Sequence, residues 1–306
     1  MTMRTALRLA LSLLCLGAAA PALADDESCH LTRVAQLDMM IDGSGRIDVP
    51  MQVGGQTLNL MIDTGGVNSM LDQSTVETLG LHPEIFNSVR VVGFGGIHID
   101  RFVTAHDISF GGLQAHSMQF LVMPRGRMAP DVQGLLGPDI LRAYDDDFDF
   151  ANAKFSLFQR AHCSGNLVWW TDAEHSEIPF SIDGAGHIQF YVELDGKKVR
   201  VWLDTGASGS VLSLEEAEDL FGIDEKSPAL RPLRETANGH TYKYPFKAMT
   251  FGGVTVNNPD LVLMSRDDSK LPGAAPMLLG IGILRQLHMY ISYREEKIFV
   301  TAATAH

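Results

Sequence analysis

The sequence predicts an all-β chain made of two copies of one lobe, with helices that are few and short. Three observations carry this. The 306 residues include 29 glycines, apolar and polar residues alternate over short runs bounded by turn formers, and a shift of 141 residues lays one half of the chain on the other. The shift carries Ile41-Asp42-Gly43-Ser44-Gly45 onto Ile182-Asp183-Gly184-Ala185-Gly186, Asp63-Thr64-Gly65 onto Asp204-Thr205-Gly206, and Phe110-Gly111-Gly112 onto Phe251-Gly252-Gly253. With two residues added, positions 134–142 match 277–285. So long a period marks duplicated domains rather than a solenoid of small units.

In chain order, residues 1–24 read as a signal peptide. Arg4 and Arg8 precede an apolar stretch over 9–16, and Ala22-Leu23-Ala24 supplies the small residues of a cleavage site, so the mature chain starts at Asp25. No later segment reaches the roughly 20 apolar residues that a membrane span needs. A periplasmic or secreted protein is expected. Residues 25–163 form the first lobe, 164–180 a linker containing Trp169-Trp170, and 181–303 the second lobe. The tryptophans are expected to pack across the lobe junction, since Trp is usually mostly buried. Cys29 and Cys163 bracket the first lobe, an even count in an exported chain; this favours a disulfide, with two separate buried thiols as the other reading.

Within each lobe a hairpin leads into the acidic turn. Residues 46–53 and 56–62 alternate around Gly54-Gly55 and end at Asp63, and residues 187–194 and 197–203 alternate around Asp195-Gly196 and end at Asp204. Gly65 and Gly206 let the backbone turn back where a Cβ would clash. A short helix follows in each lobe, over 72–79 and over 213–220, the second with Ser213 and Glu216 spaced as a capping box and Gly222 as a stop.

The formal net charge of −13, which loss of Arg4 and Arg8 takes to −15, excludes nucleic acid and anionic membranes as favoured partners. The acidic run Asp145-Asp146-Asp147 is expected as a solvated turn before a closing strand, because charged runs are normally exposed and calcium-loop spacing is missing. The 11 histidines form no zinc-binding pattern. Gly206-Ala207-Ser208-Gly209-Ser210 does not place a serine as a nucleophile elbow would.

The chemistry then falls to Asp63 and Asp204. Two carboxylates brought together by the pseudo-twofold axis of a duplicated fold cannot both ionise, so they share a proton. The ionised one takes a proton from water while the other donates to a carbonyl oxygen, which suits amide hydrolysis without cofactor or metal. The hydroxyls of Thr64 and Thr205 are placed to hydrogen-bond across the axis and stiffen the turns. Solvated turn aspartates are the bland reading of the pair, but turn chemistry does not require an apolar strand before both copies and a threonine in both.

On these residues the chain resembles the aspartic proteases of the pepsin and retroviral-protease group, and most of all two-lobed bacterial retropepsin-like proteins. Each apolar-Asp-Thr-Gly motif has its downstream partner, Leu135-Leu136-Gly137 and Leu278-Leu279-Gly280, which in the family thread beside the active-site loop. Segments 148–157 and 291–300 resemble the family's closing strand. The resemblance implies two β-barrel lobes, Asp63 and Asp204 as the catalytic pair, a protein or peptide substrate, and a monomer, since the duplication removes any need to dimerise. It places a substrate-covering flap at Gly93-Phe94-Gly95-Gly96 and the matching stretch of lobe two at Thr236-Ala237-Asn238-Gly239. Gly66 departs from the family's usual Ala or Ser and is expected to loosen the first turn. Asp139 has Gly282 as its counterpart, so any ion pair it makes is one-sided. A protein that binds extended peptides in the cleft without cleaving them is the rival reading.

Overall fold

The computed structural model describes residues 31–86, 91–93, 96–160, 167–236, 239–269 and 275–304. The leader, Cys29 and Cys163, and the flap residues Phe94, Gly95 and Asn238 lie outside them. Strands dominate, and the helices are single turns or little more, the longest being Leu214–Phe221.

Lobe one is a closed six-stranded barrel. Its strands run Ile47–Val53, Gln56–Ile62, Gly134–Leu136, Met70–Asp72, Leu113–Met123 and Arg101–Phe110, and the last pairs back onto the first. Lobe two repeats the order with Ile188–Leu194, Lys197–Asp204, Met277–Gly280 and Ser210–Ser213. Its two remaining barrel strands are each broken, into Gly239–Lys243 with Ala248–Phe251 and Val254–Asn257 with Leu261–Met264. Pro245 and Pro259 stand in the breaks, where a missing N–H stops the ladder; Thr104 and Met118 hold these places in lobe one. Apolar residues alternate inward along the barrel strands, as Ile188, Phe190, Val192 and Leu194 do, and fill one continuous core.

Helix Gln73–Thr78 is capped by the Asp72 carboxylate on the Ser74 N–H. Helix Leu214–Phe221 is capped by Ser213 on the Glu216 N–H, and Gly222 ends it in the left-handed region at φ 66°.

A third sheet joins the lobes, in the order Arg33–Asp38, Lys154–Phe158, Asp145–Asp149, Leu287–Ser292, Lys297–Ala302, Ser176–Pro179. The expected closing strands are therefore hairpins that meet in one sheet, and the expected linker contributes an edge strand. At the seam Asp147 lies opposite Tyr290, its own repeat equivalent. A strand paired antiparallel with its own copy marks the pseudo-twofold axis.

The seam overturns the expectation for the acidic run. Asp145, Asp146 and Asp147 are 1%, 0% and 1% exposed and belong to a strand rather than a solvated turn. Lobe two supplies their partners. The Tyr293 N–H donates to Asp145 at 3.0 Å, the Tyr290 hydroxyl to Asp145 at 3.2 Å and the Tyr293 hydroxyl to Asp146 at 2.9 Å, while His288 Nε2 lies 2.9 Å from Asp147. Trp170 stacks on His288 at 4.1 Å, the junction packing expected of it, whereas Trp169 touches Phe158 but stays 45% exposed rather than buried.

Burial raises all three carboxyl pKa values, that of Asp146 well above the ordinary range, and Asp146 Oδ1 has no hydrogen-bond partner. A raised pKa in the fold means stability that is full below the unfolded carboxyl's pKa of about 4 and is lost as pH rises toward the folded value. Asp146→Asn cannot ionise, so it is expected to raise Tm at pH 8, by about 2–4 °C for each kcal/mol recovered, and to leave Tm at pH 4 nearly unchanged. Melting curves at the two pH values check this; the same difference at both would contradict it.

Candidate active site

Each acidic turn is held by a strand inserted beside it. Gly134–Leu136 runs parallel to the strand before Asp63 and antiparallel to Met70–Asp72, the strand after it, so the turn joins strands that are not neighbours. Met277–Gly280 does the same in lobe two. The Asp63 N–H donates to Leu136 O at 2.9 Å, and the Ile281 N–H to Ala207 O at 2.8 Å. Gly137 and Gly280 close the crossing: a Cβ there would stand 2.5 Å from the carbonyl carbon of Asn68 or 2.3 Å from the carbonyl oxygen of Gly209. Ser69 and Ser210 brace it equivalently, each hydroxyl accepting from the Gly137 or Gly280 N–H at 3.0 Å.

The threonines tie the turns to each other. Thr64 N–H donates to Thr205 Oγ1 at 3.1 Å and Thr205 N–H to Thr64 Oγ1 at 3.0 Å. Their hydroxyls donate onward across the axis, Thr64 to Leu203 O at 3.0 Å and Thr205 to Ile62 O at 2.8 Å. Both side chains are buried, so four bonds of this kind fix the two turns relative to each other.

That frame brings Asp63 and Asp204 to the same place, each carboxyl seated against the turn that carries the other. Asp63 Oδ1 accepts from the Gly65 N–H at 3.0 Å. Asp204 Oδ1 accepts from the N–H groups of Gly206 and Ala207 at 2.9 and 3.0 Å. Each carboxyl also rests on the glycine of the opposite turn: a Cβ on Gly65 would lie 2.3 Å from Asp204 Cγ, and one on Gly206 would lie 2.6 Å from Asp63 Cγ. These glycines thus make room for the other lobe's carboxylate. Gly66 makes similar room for its own, since a Cβ there would come within 3.0 Å of Asp63 Oδ2.

Burial is the first cause that raises both carboxyls, and the neighbouring Asp204 charge takes Asp63 further, to about 7. Backbone N–H groups oppose the rise at both. Over a range of pH the pair therefore carries one proton and one negative charge, the state that can both accept a proton from water and donate one to a carbonyl oxygen.

Asp139 is one-sided, as its Gly282 counterpart implies, but its partner is no cation. Its Oδ1 accepts from the N–H and hydroxyl of Ser69 at 2.7 and 2.8 Å. Both expected flaps are hairpins. In lobe one Gly93 pairs with Ile97, and Gly96 turns the chain at φ 75°; in lobe two Thr236 pairs with Gly239. Val91 and Ile97 of the first hairpin pack against the buried cluster of Met70, Ile99, Leu121, Met123 and Leu135, as do Met61 and Val67 on either side of the Asp63 turn.

One neighbour goes unmarked in the sequence reading. His187 is stacked 3.9 Å from the ring of Trp202, two residues before Asp204, with Nδ1 3.1 Å from Asp183. The available signal was a break in the repeat, since position 46 holds Arg.

The aspartyl protease family model matches the sequence twice, over residues 49–140 and 190–282. No curated protein matches it. Each family match spans one acidic turn and the strand inserted beside it, and together they cover more than half of the chain. The duplicated barrels and their paired Asp-Thr-Gly turns are thus a family's own architecture, and this chain belongs to the aspartyl protease family.

Proposed function

We propose that the protein is an exported aspartic endopeptidase that hydrolyses peptide bonds by activating water between Asp63 and Asp204. The observation that carries the reading is the seating of each carboxyl against the glycine of the opposite turn, in a frame held by reciprocal Thr64 and Thr205 bonds at 3.0–3.1 Å. The ionised carboxylate takes a proton as the water oxygen bonds to the carbonyl carbon, and the protonated carboxyl gives its own to the carbonyl oxygen. The diol then collapses. The C–N bond breaks as one proton passes to the leaving nitrogen and the other returns to the pair, so acid and base are restored together. The apolar residues Val91 and Ile97 of the first flap hairpin, which join the same cluster as Met61 before Asp63, favour peptides with bulky apolar side chains at the scissile bond.

Incubation of residues 25–306 with a diverse peptide pool from acid to neutral pH, with and without a statine-type transition-state inhibitor, tests the reading. Cleavage suppressed by the inhibitor supports it. Peptides bound but never cut would replace it with a binding role.

Export rests on the leader of residues 1–24, and among the described residues no helix is long and apolar enough to cross a membrane. The chain recovered from outside the cytoplasm is expected to begin at Asp25, which N-terminal sequencing reads directly. A Met1 start there would contradict cleavage.

A further inference from the structure

The surroundings of the two carboxylates are related by the repeat but differ in charge. Asp48 pairs with Met61, and Gln189 with Trp202. Continued two residues past these last paired positions, the registers would set Arg46 opposite Asp63 and His187 opposite Asp204. Arg46 is shared by three carboxylates, Asp42 at 3.4 Å, Asp48 at 3.0 Å and Asp131 at 2.5 Å. Asp48 is 5% exposed and its Oδ1 has no hydrogen-bond partner. Lobe two has the neutral Gln189 in its place. His187 answers to one carboxylate, Asp183, at 3.1 Å from Nδ1, and is 6% exposed beneath the Trp202 ring.

We infer that His187 is a positioning residue that holds the pair's negative charge on Asp204 and so leaves the shared proton on Asp63. Asp183 holds the ring through Nδ1 and Trp202 covers its face, so any positive charge on the ring acts on Asp204 with little screening. The charged groups that face it are Asp183 on its own turn, Asp204 on the paired strand, and Arg142 from lobe one, whose Nη1 lies 2.8 Å from where a Cβ on Gly186 would stand. Arg142 does not distinguish the lobes, because Arg285 occupies the matching place at Gly45, 3.6 Å from the same construction. His187 favours the ionised form of Asp204, whereas the arginine opposite Asp63 is spent on its own three aspartates. In the hydrolytic reading, on which this inference rests, Asp204 receives the proton of the attacking water and Asp63 protonates the carbonyl oxygen.

The test compares wild type, His187→Gln and His187→Arg by the pH profile of kcat/KM and by a carbon-13 titration of the aspartate carboxyls. In wild type Asp204 is expected to ionise before Asp63. Replacing the ring in His187→Gln is expected to move the acid limb of the profile up by about one pH unit. His187→Arg, charged at every pH and copying Arg46, keeps the wild-type acid limb and moves the basic limb to lower pH. An acid limb unmoved in the Gln variant overturns the inference; should that variant not fold, a basic limb unmoved in the Arg variant does so. If wild type itself cleaves no peptide, the hydrolytic reading fails, and the carboxyl titration still decides the role of His187: the same order of ionisation in wild type and variant overturns it.

Discussion

Asp63→Asn and Asp204→Asn each lower kcat for peptide hydrolysis by roughly a thousand-fold or more, the span of general acid–base catalysis, and leave the fold standing. In Asp63→Asn the amide oxygen can still accept the Gly65 N–H that now reaches Asp63 Oδ1 at 3.0 Å, and the amide NH2 can donate to Asp204, so the frame loses nothing. What disappears is the ability to hold either one proton or none. Because burial and the Asp204 charge raise Asp63 to about 7, wild-type stability from this group is full below the unfolded carboxyl's pKa and declines as pH rises through about 7. Asp63→Asn is therefore expected to melt no lower than wild type at pH 8 while being inactive, and wild-type kcat is expected to fall above about pH 7 as the shared proton leaves. Kinetics and melting on the same samples separate chemistry from fold. Residual activity within tenfold of wild type would remove the carboxyl pair from the reaction.

Gly280→Ala and Gly137→Ala are expected to cost the most stability. Gly280 has φ −98° and Gly137 φ −104°, values open to any residue, so the penalty is one of space. A Cβ added at position 280 meets the Gly209 and Ala207 carbonyl oxygens at 2.3 and 2.7 Å; one added at position 137 meets the Asn68 carbonyl at 2.5–2.7 Å. Those are backbone atoms of the acidic turns, and they cannot rotate away as a side chain can. Overpacking of this kind costs about 3 kcal/mol or more, which lowers Tm by roughly 6–12 °C in a domain of this size, and the displaced turn carries its aspartate with it. Gly209→Ala, with nothing within 4 Å of its added Cβ, is the control and is expected to melt near wild type. Equal melting of Gly280→Ala and Gly209→Ala would mean that the crossing is looser than its geometry.

Most of the barrel was legible because the repeat is written twice. A hairpin seen once in residues 46–62 is an inference; seen again in 187–203 it is a template, and the acidic turn at the end of both copies locates the carboxyl pair. The glycines after each threonine were legible as necessary but for a different reason, since the clash that they avoid is with a carboxylate of the other lobe. The seam was not legible. Asp145, Asp146 and Asp147 read as surface because the tyrosines, serine and histidine that accept them into a strand lie more than 140 residues away. No local pattern reports a partner so distant. His187 was hidden for the opposite cause: it departs from its repeat equivalent, and the matching reads likeness.

The joining sheet also constrains the order in which the protein can be made. When lobe one folds before lobe two, Asp145–Asp149 is paired on one side with Lys154–Phe158, and its other edge has nothing to bond until Leu287–Ser292 is in place. An open strand edge is a template for pairing with the wrong chain, and nascent proteins are most exposed to that error while a domain waits for its partner. Three consecutive aspartates on the waiting edge are solvated and ionised at that stage, and they repel a second edge of the same kind. When lobe two arrives, its tyrosine hydroxyls and His288 take the carboxyls over from water. The run that weakens the finished molecule at high pH is thus the guard of the half-folded one, and its charge is needed for as long as lobe two takes to fold.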